Sequence, residues 1–402
     1  MGGTDATIFV LKMTQWNIVC LSRAAKGNTK YLLKVARAPR VIAPTKFFVY
    51  CIVMLYRKYR PQTFAQVVGQ EHVVKTLKGA LSTGRIGHAY LFTGPRGTGK
   101  TTLARIFAKA LNCKKIKNGE PCNECDSCIG VNQGNLLDMI EIDAASQTGV
   151  ENIRELTDSA TVAAPSGGYK VFVIDEVHML SKSAFNALLK TLEEPPSHVV
   201  FILATTEPHK ILPTVLSRVQ RFDFKRLTPS QIFGKLKEVA KAEKINIEDE
   251  GLKAIAVSSD GALRDAEVSL SKLRSHQGKV TVDDVNDALG LVPFKYHPEF
   301  MGYLVANDKV SAIKFIQRIH ESGVDLEHFT KDFIEYLRKV LMFKINPATL
   351  TAMGKEPVTN WQIDGTKMIK MINLFISARN EIKTSPVVQL PLELAVLEFL
   401  GN

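Results

Sequence analysis

The sequence predicts an α/β phosphate-loop domain built on a mostly parallel sheet, followed by helical regions alone. Three observations predict it. Gly94-Pro95-Arg96-Gly97-Thr98-Gly99-Lys100-Thr101 is a complete G-x-x-x-x-G-K-[ST] loop, with an apolar run before it and an amphipathic pattern after it. Strand-length apolar runs then alternate with helical patterns, the order that a parallel sheet covered on both faces requires. Beyond Leu227 the strand-like runs stop and only helical periodicity remains.

Taken in order, Val73, Val74, Leu77 and Leu81 predict a helix, and Ala89–Phe92 predicts the strand that feeds the loop. Leu103, Ile106, Phe107, Ala110 and Leu111 recur at helical spacing behind it. A strand is expected around Met139–Ile142, a helix over Val150–Ala160, and a buried strand over Lys170–Ile174 after the Gly167-Gly168 turn. A helix over Ala184–Leu192 is stopped by Pro195-Pro196. Val199–Ala204 and a short Phe222–Phe224 complete the strands. Residues 229–292 read as three or four short helices and 297–402 as longer ones, with Pro293 at a junction.

Residues 1–53 stand apart. They hold Lys12, Arg23, Lys26, Lys30, Lys34, Arg37, Arg40 and Lys46 against a single acid, Asp5, so most of the net charge of +12 lies there. That composition suits a transit-like leader or a stretch translated from upstream of a start at Met54, the second being favoured. The remainder is only mildly basic, which excludes a polybasic nucleic-acid protein and makes any DNA contact local. The longest apolar run, Phe47–Tyr56, is too short to cross a bilayer. Four of the six cysteines lie between Cys113 and Cys128, which is no disulfide framework and suits a reducing compartment.

The chemistry follows from residue types at fixed spacing. Gly94, Gly97 and Gly99 let the backbone curl, so that N–H groups from Gly94 through Thr102 point at phosphate oxygens. Lys100 reaches the outer phosphates, and Thr101 offers its hydroxyl to Mg²⁺. Asp175 and Glu176 end an apolar strand, where the first acid can hold Mg²⁺ and the second can polarise a water for attack on the γ-phosphate. Cys113, Cys122, Cys125 and Cys128 form a C-x8-C-x2-C-x2-C array able to close a tetrahedral, structural Zn²⁺ site, with Fe–S ligation as the alternative. Thr205-Thr206 ends a strand, at the edge where a parallel sheet holds its ligand. By chemistry alone, Arg218 and the Gly261–Asp265 stretch remain anonymous.

Further motifs carry a resemblance. Met54-Leu55-Tyr56-Arg57-Lys58-Tyr59-Arg60-Pro61, Phe64, Val68-Gly69-Gln70-Glu71-His72 and Gly87-His88 resemble the opening of the bacterial clamp-loader ATPases, the gamma/tau subunits of DNA polymerase III. So do Glu141–Ser146, Asp175–Leu180 and Asn186–Pro196, and more loosely Leu390–Ala395. The resemblance implies an AAA+ fold: a nucleotide-binding domain over 54–226 with a zinc module at 113–128, a helical lid over 227–292 and a helical collar over 293–402. It further implies an open ring of five subunits, in which this chain, further copies of it, delta and delta-prime use ATP to load a sliding clamp onto primer–template DNA.

By the same resemblance, Lys100, Thr101, Asp175 and Glu176 take the phosphate, Mg²⁺ and base roles. Thr206 resembles the first sensor and Arg264 the lid arginine that senses the γ-phosphate. Arg218 resembles the arginine finger that completes a neighbour's site. Val68-Gly69-Gln70 lies where the family closes over adenine, which favours ATP over GTP. The family's Ser-Arg-Cys finger motif here reads Ser217-Arg218-Val219; the cysteine takes no part in the chemistry, so the finger is expected to work. An end at Asn402 matches a gamma-like product lacking the longer form's extra domains, and a bacterial cytoplasmic setting with no membrane partner is expected. The alternatives are another AAA+ DNA-remodelling ATPase, against which the cysteine module argues, and a non-catalytic scaffold, against which intact Lys100, Glu176 and Arg218 argue. No polymerase active site is present in the sequence motifs.

Overall fold

The computed structural model describes residues 54–146, 148–165, 167–276, 278–345 and 361–401, together with the backbone of 8–13, 16–25 and 28–35. The chain divides into two compact units, Met1–Tyr59 and Arg60–Asn402. In the first, β1 (Ile8–Met13), β2 (Trp16–Ala25) and β3 (Asn28–Val35) form an antiparallel sheet in that order, and a short helix α1 (Leu55–Lys58) follows. The sequence gives no clean signal for these strands, because the runs lack the alternation that marks one buried face. The expectations for 36–53, including most of the apolar run from Phe47, lie outside the described residues.

The second unit is built around five parallel strands. β4 (Ala89–Thr93), β5 (Met139–Asp143), β6 (Lys170–Asp175), β7 (Val199–Thr205) and β8 (Gln220–Asp223) are ordered β5-β6-β7-β4-β8. β4 and β7 are buried along their whole length, as continuous apolar runs require when helices cover both faces. On one face, α2 (Glu71–Thr83) and α3 (Lys100–Leu111) pack Leu77, Leu103 and Phe107 onto Tyr90, Phe92, Val173 and Ile202. On the other, after a short α4 (Asp126–Gln133), α5 (Val150–Ala160) and α6 (Lys182–Glu193) pack Leu156 and Leu188 onto Leu91, Phe172 and Phe201. Ser181 caps α6 by accepting from Ala184 N, an interaction worth about 1 kcal/mol. The edge strand β8 is shifted from expectation. Phe224 has left it, donating its N–H to Thr93 O at 2.7 Å while its ring is buried, so its apolar side chain signalled core and not strand.

A one-turn helix α7 (Pro213–Leu216) precedes β8. After it come α8 (Pro229–Glu243), α9 (Asp249–Ser258), α10 (Leu263–Lys272) and α11 (Val282–Leu289), the first and last opened by capping boxes at Thr228 and Thr281. The longer helices follow: α12 (Tyr296–Val305), α13 (Lys309–Glu321), α14 (Leu326–Ile345), α15 (Gly365–Ile382) and α16 (Leu390–Leu400). They share their own core, centred on Phe300, Phe315, Phe329, Phe333 and Phe375. Among the described residues, no helix is long and apolar enough to cross a membrane.

His297 sits inside that aromatic core at 5% exposure, stacked 5.7 Å from Phe329 and 6.0 Å from Tyr336. Burial pushes its imidazole down to about 4, and Lys339 and His328 add to the fall. It is therefore neutral when folded, whereas the unfolded side chain takes up a proton below about 6.5. Stability from this residue is complete above that pH and is lost as the pH falls towards 4, by roughly 3 kcal/mol in total. Urea titrations followed by Trp361, whose Nε1 donates to Tyr336 Oη at 3.0 Å in the same core, are expected to show this acid-side loss. His297→Phe is expected to flatten it.

Candidate nucleotide site and cysteine cluster

The loop Gly94–Thr101 leaves the C-terminal end of β4 and runs into α3. Gly94, Gly97 and Gly99 have φ of 144°, 77° and 99°, a region that side chains disfavour. Two of them are also crowded. A Cβ on Gly94 would lie 2.5 Å from Phe224 O, and one on Gly97 would lie 2.8 Å from Ala262 Cβ. The second contact is instructive, because Ala262 is the N-cap of α10. The helices after Leu227 thus close directly on the loop, and they bring the exposed Arg264, in the first turn of α10, to this edge. Arg96 projects to solvent, whereas Thr98 is buried and donates to Pro95 O at 2.8 Å, bracing the turn.

Lys100 is buried at 6% exposure and donates to Gly94 O and Pro95 O at 2.8 and 2.9 Å. Burial pulls its ammonium below the usual lysine range, while Glu176 and Asp175 oppose that fall. A buried cation held only by carbonyls and distant acids is suited to exchange those carbonyls for phosphate oxygens. Thr101 Oγ1 donates to Asp175 Oδ2 at 2.6 Å, joining the loop to the end of β6 across the intervening β7. This places the hydroxyl and carboxylate expected for Mg²⁺ side by side, and a phosphate-loop fold implies a nucleotide and that ion. Thr102, half-buried in the first turn of α3, lies beside them.

Glu176 stands just past β6 with φ 47°, in the left-handed region, which turns its side chain towards β7. There Thr206 holds it twice, donating N–H to Glu176 Oε2 at 3.2 Å and Oγ1–H at 2.9 Å. His178, 5% exposed at its side chain, lies 3.5 Å from the same carboxylate, 3.0 Å from Thr205 Oγ1 and 3.4 Å from Glu207. The sequence motifs mark Thr205 beside Thr206 but assign no role to His178 or Glu207. The histidine's place directly after the acidic pair, in Asp175–Leu180, was the available signal.

Val68 and Gly69 lie just before α2. Gly69 has φ 75°, and a Cβ there would meet Leu227 Cδ2 at 2.2 Å. Gln70, fully buried, brackets the Lys225 backbone with Nε2 donating to its carbonyl at 2.7 Å and Oε1 accepting its N–H at 3.1 Å. The segment is therefore tied to the stretch between β8 and α8.

Arg218 is placed elsewhere. It precedes β8, whose first residue Gln220 pairs with Tyr90 near the start of β4, while the loop follows the end of that strand. At about 3.3 Å per residue the two ends of β4 stand roughly 15 Å apart. Arg218 Nη2 donates to Glu193 Oε1 at 2.7 Å and Nη1 to Thr214 O at 2.8 Å, in an open cleft that His88 and Leu192 also line. The structure brings together Lys100, Thr101, Asp175, Glu176 and Thr206 and does not bring Arg218 to them.

Cys113, Cys122, Cys125 and Cys128 have all four Sγ atoms within 4.8 Å of one another, with Cys122 and Cys128 at 3.8 Å and no disulfide. A tetrahedral zinc with Zn–S bonds near 2.3 Å needs sulfur atoms about 3.8 Å apart, so the four thiols fit the ion. Cys122 accepts N–H donors from Glu124 and Cys125 at 3.4 Å each, which push its thiol down to about 6, while burial pushes Cys113 and Cys128 up.

Two family models match this chain. The model of the DNA polymerase III delta subunit matches residues 69–228, and that of domain III of DNA polymerase III subunits gamma and tau matches 280–401. DNA polymerase III subunit gamma of Buchnera aphidicola subsp. Acyrthosiphon pisum is 37% identical across 87% of this chain and 98% of its own length. The chain belongs to the DNA polymerase III gamma/tau family. Among other gamma/tau proteins, DNA polymerase III subunit tau of Bacillus subtilis is 43% identical over 86% of the chain, and that of Escherichia coli 44% identical over 74%. The chain spans 62% and 46% of those two proteins. Among solved structures, the Thermotoga maritima RuvB Holliday junction branch migration motor is a distant likeness, 20% identical with a TM-score of 0.45, covering 61% of this chain and 79% of that one.

Proposed function

We propose that this chain is an ATP-hydrolysing subunit of a DNA polymerase III clamp loader. ATP sits on Gly94–Thr102 with Lys100 on its outer phosphates, Mg²⁺ between Thr101 and Asp175, and the base beside Val68. Glu176 orients the attacking water, Thr206 and Arg264 register the γ-phosphate, and zinc fills the cysteine cluster as a structural ion. The proposed divisions are an extension over 1–53, a nucleotide domain over 54–226, a lid over 227–292 and a collar over 293–402. ATP binding and hydrolysis drive the opening of a sliding clamp and its closure on primer–template DNA in the bacterial cytoplasm, within a ring that includes delta, delta-prime and further copies of this chain.

The observation that carries this reading is the position of Arg218. A cation of finger type at the far edge of the sheet cannot serve its own phosphate loop, but it can serve a neighbour's. Hydrolysis then depends on assembly, which is the property a loader needs. The test mixes the purified chain with delta, delta-prime, clamp and primed DNA. ATP turnover is expected to rise well above that of the chain alone, with clamp retained on the DNA. Turnover indifferent to all of these additions would refute the proposal.

A further inference from the structure

Lys109 lies on α3, the helix whose first turn carries Lys100 and Thr101, and it is 1% exposed. Its ammonium donates to Gln62 Oε1 at 3.1 Å, Asn123 Oδ1 at 2.6 Å and Asn132 Oδ1 at 2.8 Å. Three protons meet three acceptors from three separate segments. All three acceptors are neutral, so a buried cation is left in need of counter-charge. Burial pulls its ammonium below the usual lysine range, and the charges of Cys128, Cys113 and Cys122 oppose that fall. A metal-bound four-thiolate cluster is net negative and supplies that charge.

A second tie runs in parallel. Glu120, between Cys113 and Cys122 in sequence, accepts the N–H of Phe64 at 2.8 Å and pairs with Lys78 of α2 at 3.0 Å. Residues 62–70 are therefore hung between two supports. One is the cysteine module, through Lys109–Gln62 and Glu120–Phe64. The other is the Gln70–Lys225 bracket at the entrance to α8. Val68 and Gly69 lie between the supports.

We propose that the cysteine module is a strut for the nucleotide site: through Lys109 and Glu120 it holds residues 62–70 so that Val68 and Gly69 close over the base, and a metal-loaded cluster therefore tightens ATP binding. Lys109 and Gln62 are positioning residues in this scheme and touch neither nucleotide nor metal. The inference rests on the reading that Val68–Gln70 forms the adenine wall.

The test uses the full chain and a fluorescent ATP analogue, with binding measured at equilibrium and zinc content measured by metal analysis. Removing zinc with a chelator is expected to weaken analogue binding about tenfold, and adding Zn²⁺ back to restore it. Gln62→Leu cuts the link without touching a thiol. It is expected to keep full zinc content and to weaken binding severalfold, raising KM for ATP while kcat at saturating ATP stays unchanged. A merely structural role would lower both or neither. Unchanged affinity in the Gln62→Leu chain, or after zinc removal, overturns the strut. Val68→Ala separates the two readings. If Val68→Ala weakens binding and Gln62→Leu does not, the adenine wall stands and the strut fails. If Val68→Ala leaves affinity unchanged, the wall is wrong and the strut falls with it.

Discussion

Arg218→Ala is expected to lower ATP turnover of the assembled complex by about three orders of magnitude, the low end of what arginine fingers supply. The isolated chain is expected to hydrolyse ATP slowly and at the same rate with or without the substitution, because Arg218 stands at the opposite end of β4 from its own phosphate loop. Its present partner is not an obstacle. The pair with Glu193 is about one-third exposed at Arg218 and half exposed at Glu193, and surface pairs of this kind are worth at most about 1 kcal/mol. A neighbour's γ-phosphate, carrying more charge and able to accept two parallel hydrogen bonds, is expected to displace the carboxylate. Arg218→Lys is expected to recover little, since an ammonium lacks the planar fork. The measurement is steady-state hydrolysis by the reconstituted complex and by the isolated chain, side by side. An equal loss in both would place Arg218 in its own subunit's site.

Glu176→Gln is expected to leave ATP binding near its original strength and to lower hydrolysis by about 10²- to 10⁴-fold, the range for a lost general base. The amide keeps the shape and can still accept from Thr206 N and Oγ1, which hold the carboxylate at 3.2 and 2.9 Å. What it cannot do is draw a proton from water. Equilibrium binding of labelled ATP beside single-turnover hydrolysis separates the two effects. Undiminished hydrolysis would move the base to another carboxylate, such as Glu207, which also lies 3.4 Å from His178.

Much of this site is legible in the sequence. The glycine loop is a local backbone pattern, and its three positive φ angles are a property that glycine alone adopts without strain. Asp175 and Glu176 were marked by the apolar run that ends at them, and β6 does end at Asp175. The cysteines announced themselves by spacing, and their sulfur atoms do converge. Other residues gave weak signals. Lys109 falls three residues after Ile106, on the apolar stripe of α3, where a lysine is out of place; its role needed Gln62, Asn123 and Asn132 to be known as neighbours. By its chemistry alone Gln70 looks like any polar loop residue, although the resemblance marks its segment; its full burial against the Lys225 backbone needed the fold.

The alternation of strands and helices from α2 onward, the loop chemistry, the acidic pair and the cysteine array were all legible in the sequence, because periodicity and glycine placement act within a few residues of chain. That Thr101 meets Asp175, that Thr206 grips Glu176, that Ala262 presses on Gly97, and that Arg218 lies at the other end of β4 from its own loop came from the tertiary structure. Each of these depends on strand order and on how one helix sits against another. Hydrophobic patterning says which face of a segment is buried but not which other segment buries it, and that choice is made by packing across the whole domain.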